Sequence, residues 1–214
     1  TGRTNLANMV YADGFNTSDD YHAYLVFPHK MLQLGSIGLE PFSERRIVSL
    51  GGQSFLHTLI LSGLSNTNLN LIDPALPLLI IVGLILGYFR ENKASIHRVI
   101  FTILVVLLIA VPKANTTSMM APVALFLSLF RTLDSKEIDR NFWATNAFLI
   151  ALISAAICTL KSSLIPASAI LFAVSYLCYF ISSNTKIKVG LEFGLATALV
   201  GMFLLPWMIS SYQS

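Results

Sequence analysis

Two adjacent carboxylates and a nearby histidine are the residues of this chain best suited to catalysis. Asp19, Asp20 and His22 lie within the segment 18–24, near the start of the sequence. An acidic pair beside a histidine can hold a divalent cation such as Mg²⁺ or Mn²⁺, and one carboxylate can act as a general base. The same pattern is also typical of an acidic turn that caps a helix beginning at Tyr21. We take Asp19, Asp20 and His22 as candidate catalytic residues, and the two aspartates as the ligands of any metal.

Four basic residues are candidates for binding the phosphate of a substrate. Arg45 and Arg46 directly precede an apolar stretch, so we expect them at the level of the lipid headgroups. A pair of guanidinium groups there suits a phosphate or a diphosphate, although it also suits ordinary headgroups. Lys113 and Lys161 each lie at the end of an apolar run, where a lysine commonly snorkels to the interface. The sharper alternative is that they neutralise a lipid-linked phosphate close to the acidic pair.

The composition dictates which elements must position these residues. The 214 residues are 55% hydrophobic and only 12% charged, and the mean hydropathy is +0.70. Soluble domains carry about a quarter charged residues, so this chain predicts an all-α polytopic protein that contacts membrane lipid. Its net charge of +3 comes without a basic patch interleaved with aromatic residues, which excludes nucleic acid as a partner.

Six apolar runs approach the roughly 20 helical residues that cross about 30 Å of hydrocarbon. They are 72–89, 96–111, 118–133, 142–160, 164–181 and 189–209. A seventh stretch, 47–64, contains several polar residues, including Gln53 and His57, and we interpret the histidine as structural. We predict an outer loop with short helices over 1–46, a juxtamembrane or re-entrant helix over 47–64, and a bundle of about six spanning helices over 72–214.

The distribution of basic residues predicts the orientation of this bundle. If the stretch 47–64 does not cross the membrane, eight basic residues lie in loops on one side of the membrane. The short loops on the other side then contain only Lys113 and Lys161. The eight are Arg90, Lys93, Arg98, Arg131, Lys136, Arg140, Lys186 and Lys188. The side richer in basic residues is normally cytoplasmic, so we expect the N-terminal segment, Lys113 and Lys161 on the outer side.

One acidic residue, Glu192, falls inside a predicted spanning helix. An ionisable residue at membrane depth is a functional candidate by default. With the last helix predicted to begin at Val189, Glu192 lies in its first turn, where the helix dipole favours a negative charge. We therefore favour a structural role for Glu192.

An outer acidic segment followed by a membrane-associated stretch and a series of helices resembles the GT-C superfamily of polytopic glycosyltransferases. The segment Asp20-Tyr21-His22, with the later Arg45-Arg46 and Lys161-Ser162, is similar to an uncharacterised bacterial group of such proteins associated with cell-surface polysaccharides. The resemblance implies catalytic or metal-binding roles for Asp19 and Asp20. It also implies a helix before Thr1 and an acceptor-binding part beyond Ser214, so we treat the chain as a fragment. Many members carry an acidic residue in the second outer loop, but 113–117 has none, which leaves metal dependence open.

The resulting hypothesis is sugar transfer at the outer face of a bacterial inner membrane, from a polyprenyl-phosphate or diphosphate carrier to an acceptor of the cell envelope. Asp20, or Asp19, takes the proton of the acceptor hydroxyl, and the basic residues stabilise the departing phosphate. A non-enzymatic flippase or transporter of polysaccharide or lipid is the main alternative. It predicts charged residues along the helices, and apart from Glu192, and Asp73 at the edge of the first span, the helices contain almost none. A polysaccharide polymerase is the third possibility.

Overall fold

The computed structural model describes residues 25–35, 51–109, 120–134, 143–183 and 185–213. Every regular element in these ranges is helical. The α-helices are α1 (Val26–Leu34), α2 (Gly52–Leu61), α3 (Ala75–Glu91), α4 (Ile96–Ile109), α5 (Ala121–Asp134), α6 (Trp143–Leu160), α7 (Ile165–Ser182) and α8 (Lys186–Gln213). Short 3-10 helices, Asn66–Leu71 and Ser162–Leu164, precede α3 and α7.

Each of the six predicted apolar runs forms a helix, and the prediction of an all-α helical membrane protein is confirmed. Within the described ranges, four segments are long and apolar enough to cross a membrane: Asn66–Glu91, Trp143–Leu160, Ile165–Ser182 and Lys186–Ile209. Helices α4 and α5 have 14 residues each in the described part of the chain, which is shorter than a full crossing. The chain is therefore an integral membrane protein.

Contacts along the backbone divide the chain into two compact units. Of the described residues, the first unit contains 25–35, 53–109 and 120–124, and the second contains 51–52, 125–134, 143–183 and 185–213. In the first unit, Leu25, just before α1, and Phe27 within it are almost completely buried. Helix α1 packs on α2, where the Thr58 hydroxyl lies 3.4 Å from the sulfur of Met31. The ten-residue α2 is half the length of a membrane crossing. The predicted domain boundaries stay predictions, because residues 36–50 lie outside the described ranges.

The turn between α3 and α4 ends the first spanning helix with a left-handed residue. Lys93 adopts φ 50°, and the Asn92 side chain donates a hydrogen bond of 2.9 Å to the carbonyl of Tyr88. Arg90 lies in the last turn of α3, where a positive charge complements the helix dipole. Arg90, Lys93 and Arg98 are all exposed. A group of solvated cations therefore marks this end of α3 and α4.

Helix α6 is the central helix of the second unit. It packs most extensively against α8 and also contacts α7. The buried side of α6 is built largely of small residues that let another backbone approach closely: Ala147, Ala151, Ser154, Ala155 and Cys158. Larger side chains complete the core around Ile150 and Ile157, which pack with Leu129, Leu133 and Tyr176. By contrast, α7 and α8 leave most of their apolar surface exposed, as lipid-facing helices do.

Candidate functional site

Six of the seven predicted site residues lie outside the described residues. These are the three candidate catalytic residues and three of the four candidate phosphate-binding residues, namely Asp19, Asp20, His22, Arg45, Arg46 and Lys113. Their proposed roles, and the divalent cation that the aspartates would hold, stay predictions. The structure describes the seventh residue, Lys161. It also describes two sets of buried polar side chains, one in each unit.

Lys161 follows α6 directly and is exposed. Its carbonyl accepts a hydrogen bond of 3.0 Å from the backbone N–H of Leu164, which closes the short turn leading into α7. Because α6 and α7 are both candidate spans, this turn lies at a membrane surface. Lys161 is thus placed where its ammonium group can contact either a lipid headgroup or the phosphate of another lipid.

Within the described ranges, the first unit buries five polar side chains before α3. Gln53, Ser54, His57, Asn70 and Asp73 are each at most 8% exposed. The amide nitrogen of Gln53 lies 2.9 Å from Nε2 of His57, so the amide donates and the ring nitrogen accepts. Burial lowers the pKa of His57 from 6.5 to about 4. The histidine is consequently neutral at physiological pH, in keeping with the structural role predicted for it.

Asp73 ties two distant parts of the first unit together. Its Oδ1 atom accepts a hydrogen bond of 2.8 Å from the backbone N–H of Met120, 47 residues along the chain. Met120 immediately precedes α5, and the first N–H groups of a helix have no partner within the helix. Asp73 lies just before α3. Its carboxylate therefore binds the backbone immediately before the first residue of α5.

The second unit buries a carboxyl group within its spanning helices. Glu192 on α8 is 7% exposed, and the hydroxyl of Tyr176 on α7 donates a hydrogen bond of 2.9 Å to its Oε1. Because α8 begins at Lys186, three residues earlier than predicted, Glu192 lies in the second turn and not in the first. The simple helix-dipole explanation from the sequence is weakened accordingly, since the effect falls off within the first turn.

Aromatic rings surround the Tyr176–Glu192 hydrogen bond. The ring centroid of Tyr176 lies 4.9 Å from that of Phe172 and 5.2 Å from that of Phe193. Phe172 and Phe193 are themselves 5.3 Å apart, and Tyr179 lies 6.3 Å from Tyr176. We call Phe172, Tyr176, Tyr179 and Phe193 the aromatic cluster. These rings pack around the tyrosine that donates to the carboxyl group.

Glu192 is recognisable from the sequence as a candidate functional residue, whereas Tyr176 is not. A tyrosine in an apolar run is typical of a core or interfacial aromatic residue, so the position of Tyr176 did not indicate a functional role. Only its hydroxyl could have indicated one, because a hydroxyl needs a hydrogen-bond partner when it is buried in a membrane helix. Glu192, as the acidic residue inside the neighbouring helix, was the natural candidate for that partner.

The described residues contain no cluster of three or more His, Cys, Asp or Glu side chains that could hold a metal ion. Both cysteines are free, and the Cys158 sulfur lies 3.6 Å from the hydroxyl of Ser168. Comparisons with models of protein families, with curated proteins and with solved structures gave no match.

Proposed function

We propose that this chain belongs to a membrane transferase that takes a sugar from a polyprenyl-phosphate or diphosphate carrier at the outer face of a bacterial inner membrane. The acceptor is a component of the cell envelope. Asp20 or Asp19 acts as the general base, with His22 beside them, in a GT-C-like arrangement. A divalent cation at the aspartates is an optional part of this proposal.

The observation that carries the proposal is the unequal charge at the two ends of the helices. Within the second unit, the α6–α7 turn presents Lys161 as its one basic residue, whereas the start of α8 presents Lys186 and Lys188, all three exposed. Because the short turn after α6 returns the chain through α7, these two groups lie at opposite ends of the spans. The positive-inside rule favours the more basic end as cytoplasmic, which leaves Lys161 outside.

An outer Lys161 supports a lipid-linked donor as substrate. The polyprenyl phosphate of such a donor lies at the headgroup level, and an exposed lysine in the turn between two candidate spans, as Lys161 is, commonly reaches that level. A cation there stabilises the negative charge that develops on the departing phosphate. Arg45, Arg46 and Lys113 would contribute in the same way.

The test is transfer of a labelled sugar by the full-length protein in proteoliposomes that contain the lipid-linked donor. We expect Asp20→Asn or Asp19→Asn to reduce the transfer rate by about 10²- to 10⁴-fold, which is the usual contribution of a general base. Asp134→Asn is the matched control, because Asp134 is an exposed acidic residue at the end of α5. Transfer at the wild-type rate by both variants of the acidic pair would overturn the assignment of the base.

A non-enzymatic flippase or transporter is the second candidate, and the buried carboxyl groups favour it. Asp73 and Glu192 are each 7% exposed, although each belongs to a candidate spanning segment. Transporters place ionisable groups at such positions. In this case the protein moves a lipid-linked sugar across vesicles without any acceptor. Substitution of Glu192 then reduces the movement, while substitution of Asp20 does not.

A further inference from the structure

Among the residues that the structure describes, Glu192 has a hydrogen-bond partner but no partner of opposite charge. Its one hydrogen bond comes from the hydroxyl of Tyr176, and the side chain is 93% buried. Across the described ranges, no basic side chain forms an ion pair with it. A buried carboxylate that lacks a cation is strongly unfavourable, because desolvation is not offset by Coulomb attraction. Neutralisation of this group therefore needs something other than the side chains of the described residues.

The depth of Glu192 makes this requirement stronger. The residue lies six positions after Lys186, which corresponds to about 9 Å along the helix axis at 1.5 Å per residue. The candidate span of α8 begins at Lys186, so the carboxyl group is inside the hydrocarbon-spanning part. The side chain is 7% exposed, so it has little contact with whatever surrounds the helices.

The described parts of the elements packed around Glu192 supply no compensating charge. Helix α7 contributes Tyr176 and Tyr179, and α6 contains no Asp, Glu, Lys, Arg or His. Helix α5 contributes Arg131 and Asp134, neither of which bonds to Glu192. On α8 itself Lys186 and Lys188 are exposed, and the Lys186 ammonium group lies 5.7 Å above the ring of Phe180.

The remaining candidate for neutralisation is a proton. We propose that the Glu192 carboxyl group is a membrane-embedded proton-binding site, occupied at neutral pH and exchanging its proton with water at the end of α8 that bears Lys186 and Lys188. The other rings of the aromatic cluster pack around the tyrosine that donates to this site. Release of the proton leaves a carboxylate, and rebinding restores the acid.

The hydroxyl of Tyr176 suits both states of this site. A phenol is a donor and an acceptor, so Tyr176 can donate to the carboxylate or accept from the protonated acid without moving away. The 2.9 Å separation between the two oxygens is compatible with either direction. A purely structural contact between α7 and α8 would need only one of these two directions of the hydrogen bond. The inference does not depend on the proposed transferase activity, because it concerns Glu192 alone.

Infrared spectroscopy of the full-length protein in lipid bilayers tests the site directly. A protonated carboxyl group in an apolar environment has a carbonyl band that an ionised carboxylate lacks. We expect this band at pH 7 in the wild type, a reversible loss of the band as the pH is raised, and its absence from Glu192→Gln. The glutamine amide oxygen still accepts a hydrogen bond from Tyr176, so the variant preserves the contact between the helices. Glu91→Gln is the control, because Glu91 is exposed at the end of α3 and its replacement should leave the band unchanged.

A second measurement assigns the site in the wild-type protein, should Glu192→Gln fail to fold. Dicyclohexylcarbodiimide partitions into membranes and adds to protonated carboxyl groups, with the acid proton moving to a carbodiimide nitrogen. Mass spectrometry should find the adduct on the peptide that contains Glu192 and not on that containing Glu91. Absence of the acid band from the wild type at pH 7, or an equal band in folded Glu192→Gln, would overturn the proposal.

Discussion

The two units bury polar side chains in different ways. In the first unit, Gln53 pairs with His57, and Asp73 bonds to the backbone of Met120. These residues lie in the short helix α2 and just before α3, at the edge of a spanning helix. In the second unit, Glu192 lies inside a span and has Tyr176 as its partner. The polar groups of the first unit thus have hydrogen-bond partners from other parts of the chain. The carboxyl group of Glu192 needs a proton in addition to its hydrogen bond.

This comparison predicts opposite responses to a change in charge. Protonation gives His57 a buried positive charge, while loss of a proton gives Glu192 a buried negative charge. Acid therefore acts first on the first unit, and alkali acts first on the second. The following predictions test these two environments, beginning with the largest expected effect.

Acid should destabilise the protein through His57. The pKa of His57 is about 4 in the folded protein because of burial, compared with the usual 6.5. Between these two values the unfolded chain binds a proton that the folded chain does not. The free energy of unfolding should thus fall by about 1.4 kcal/mol per pH unit as the pH decreases from 6.5 to about 4, and then level off. Denaturant titrations in detergent micelles measure this slope.

The control for this prediction is His57→Gln, in which the side-chain oxygen can accept from Gln53 but does not titrate. We expect its stability to depend less steeply on pH in the same window. Equal slopes for the variant and the wild type would show that other groups cause the acid sensitivity.

Removal of the Glu192 side chain should destabilise the second unit. Glu192→Ala leaves the hydroxyl of Tyr176 buried without a partner, and we expect a loss of about 1 to 3 kcal/mol in the free energy of unfolding. Glu192→Gln preserves an acceptor at the same place, so its loss should be smaller. Unfolding of both variants in mixed micelles gives the two values. A glutamine variant as unstable as the alanine variant would contradict the importance of the hydrogen bond.

A third prediction concerns Gly52, a residue of the second unit. A Cβ atom at Gly52 would lie 2.6 Å from the Thr159 hydroxyl oxygen and 2.8 Å from the backbone carbon of the same residue. Gly52→Ala should therefore force a displacement and reduce stability by about 1 to 3 kcal/mol, as overpacking does. Gly83→Ala is the matched control, because no atom lies within 4 Å of that Cβ position. Equal stability of the two variants would contradict the close packing at Gly52.

The sequence predicted the helices better than it predicted the contacts between them. Runs of apolar residues encode spanning helices directly, and each of the six runs forms a helix near its predicted position. The Tyr176–Glu192 bond depends instead on how α7 and α8 are aligned, which no local pattern reports. Similarly, the bond from Met120 to Asp73 joins residues 47 positions apart. Six of the predicted site residues, including Asp20, lie outside the described residues, so their roles stay predictions.

The orientation of the helices tests the account most directly, because an outer-face transferase requires Lys161 on the outer side. Single cysteines can be placed by Lys161→Cys and Lys188→Cys in a protein whose two free cysteines, Cys158 and Cys178, are replaced by alanine. A membrane-impermeant maleimide is then added to intact cells. We expect labelling at position 161 without permeabilisation and labelling at position 188 only after it. Labelling of position 188, but not of position 161, in intact cells would contradict the account.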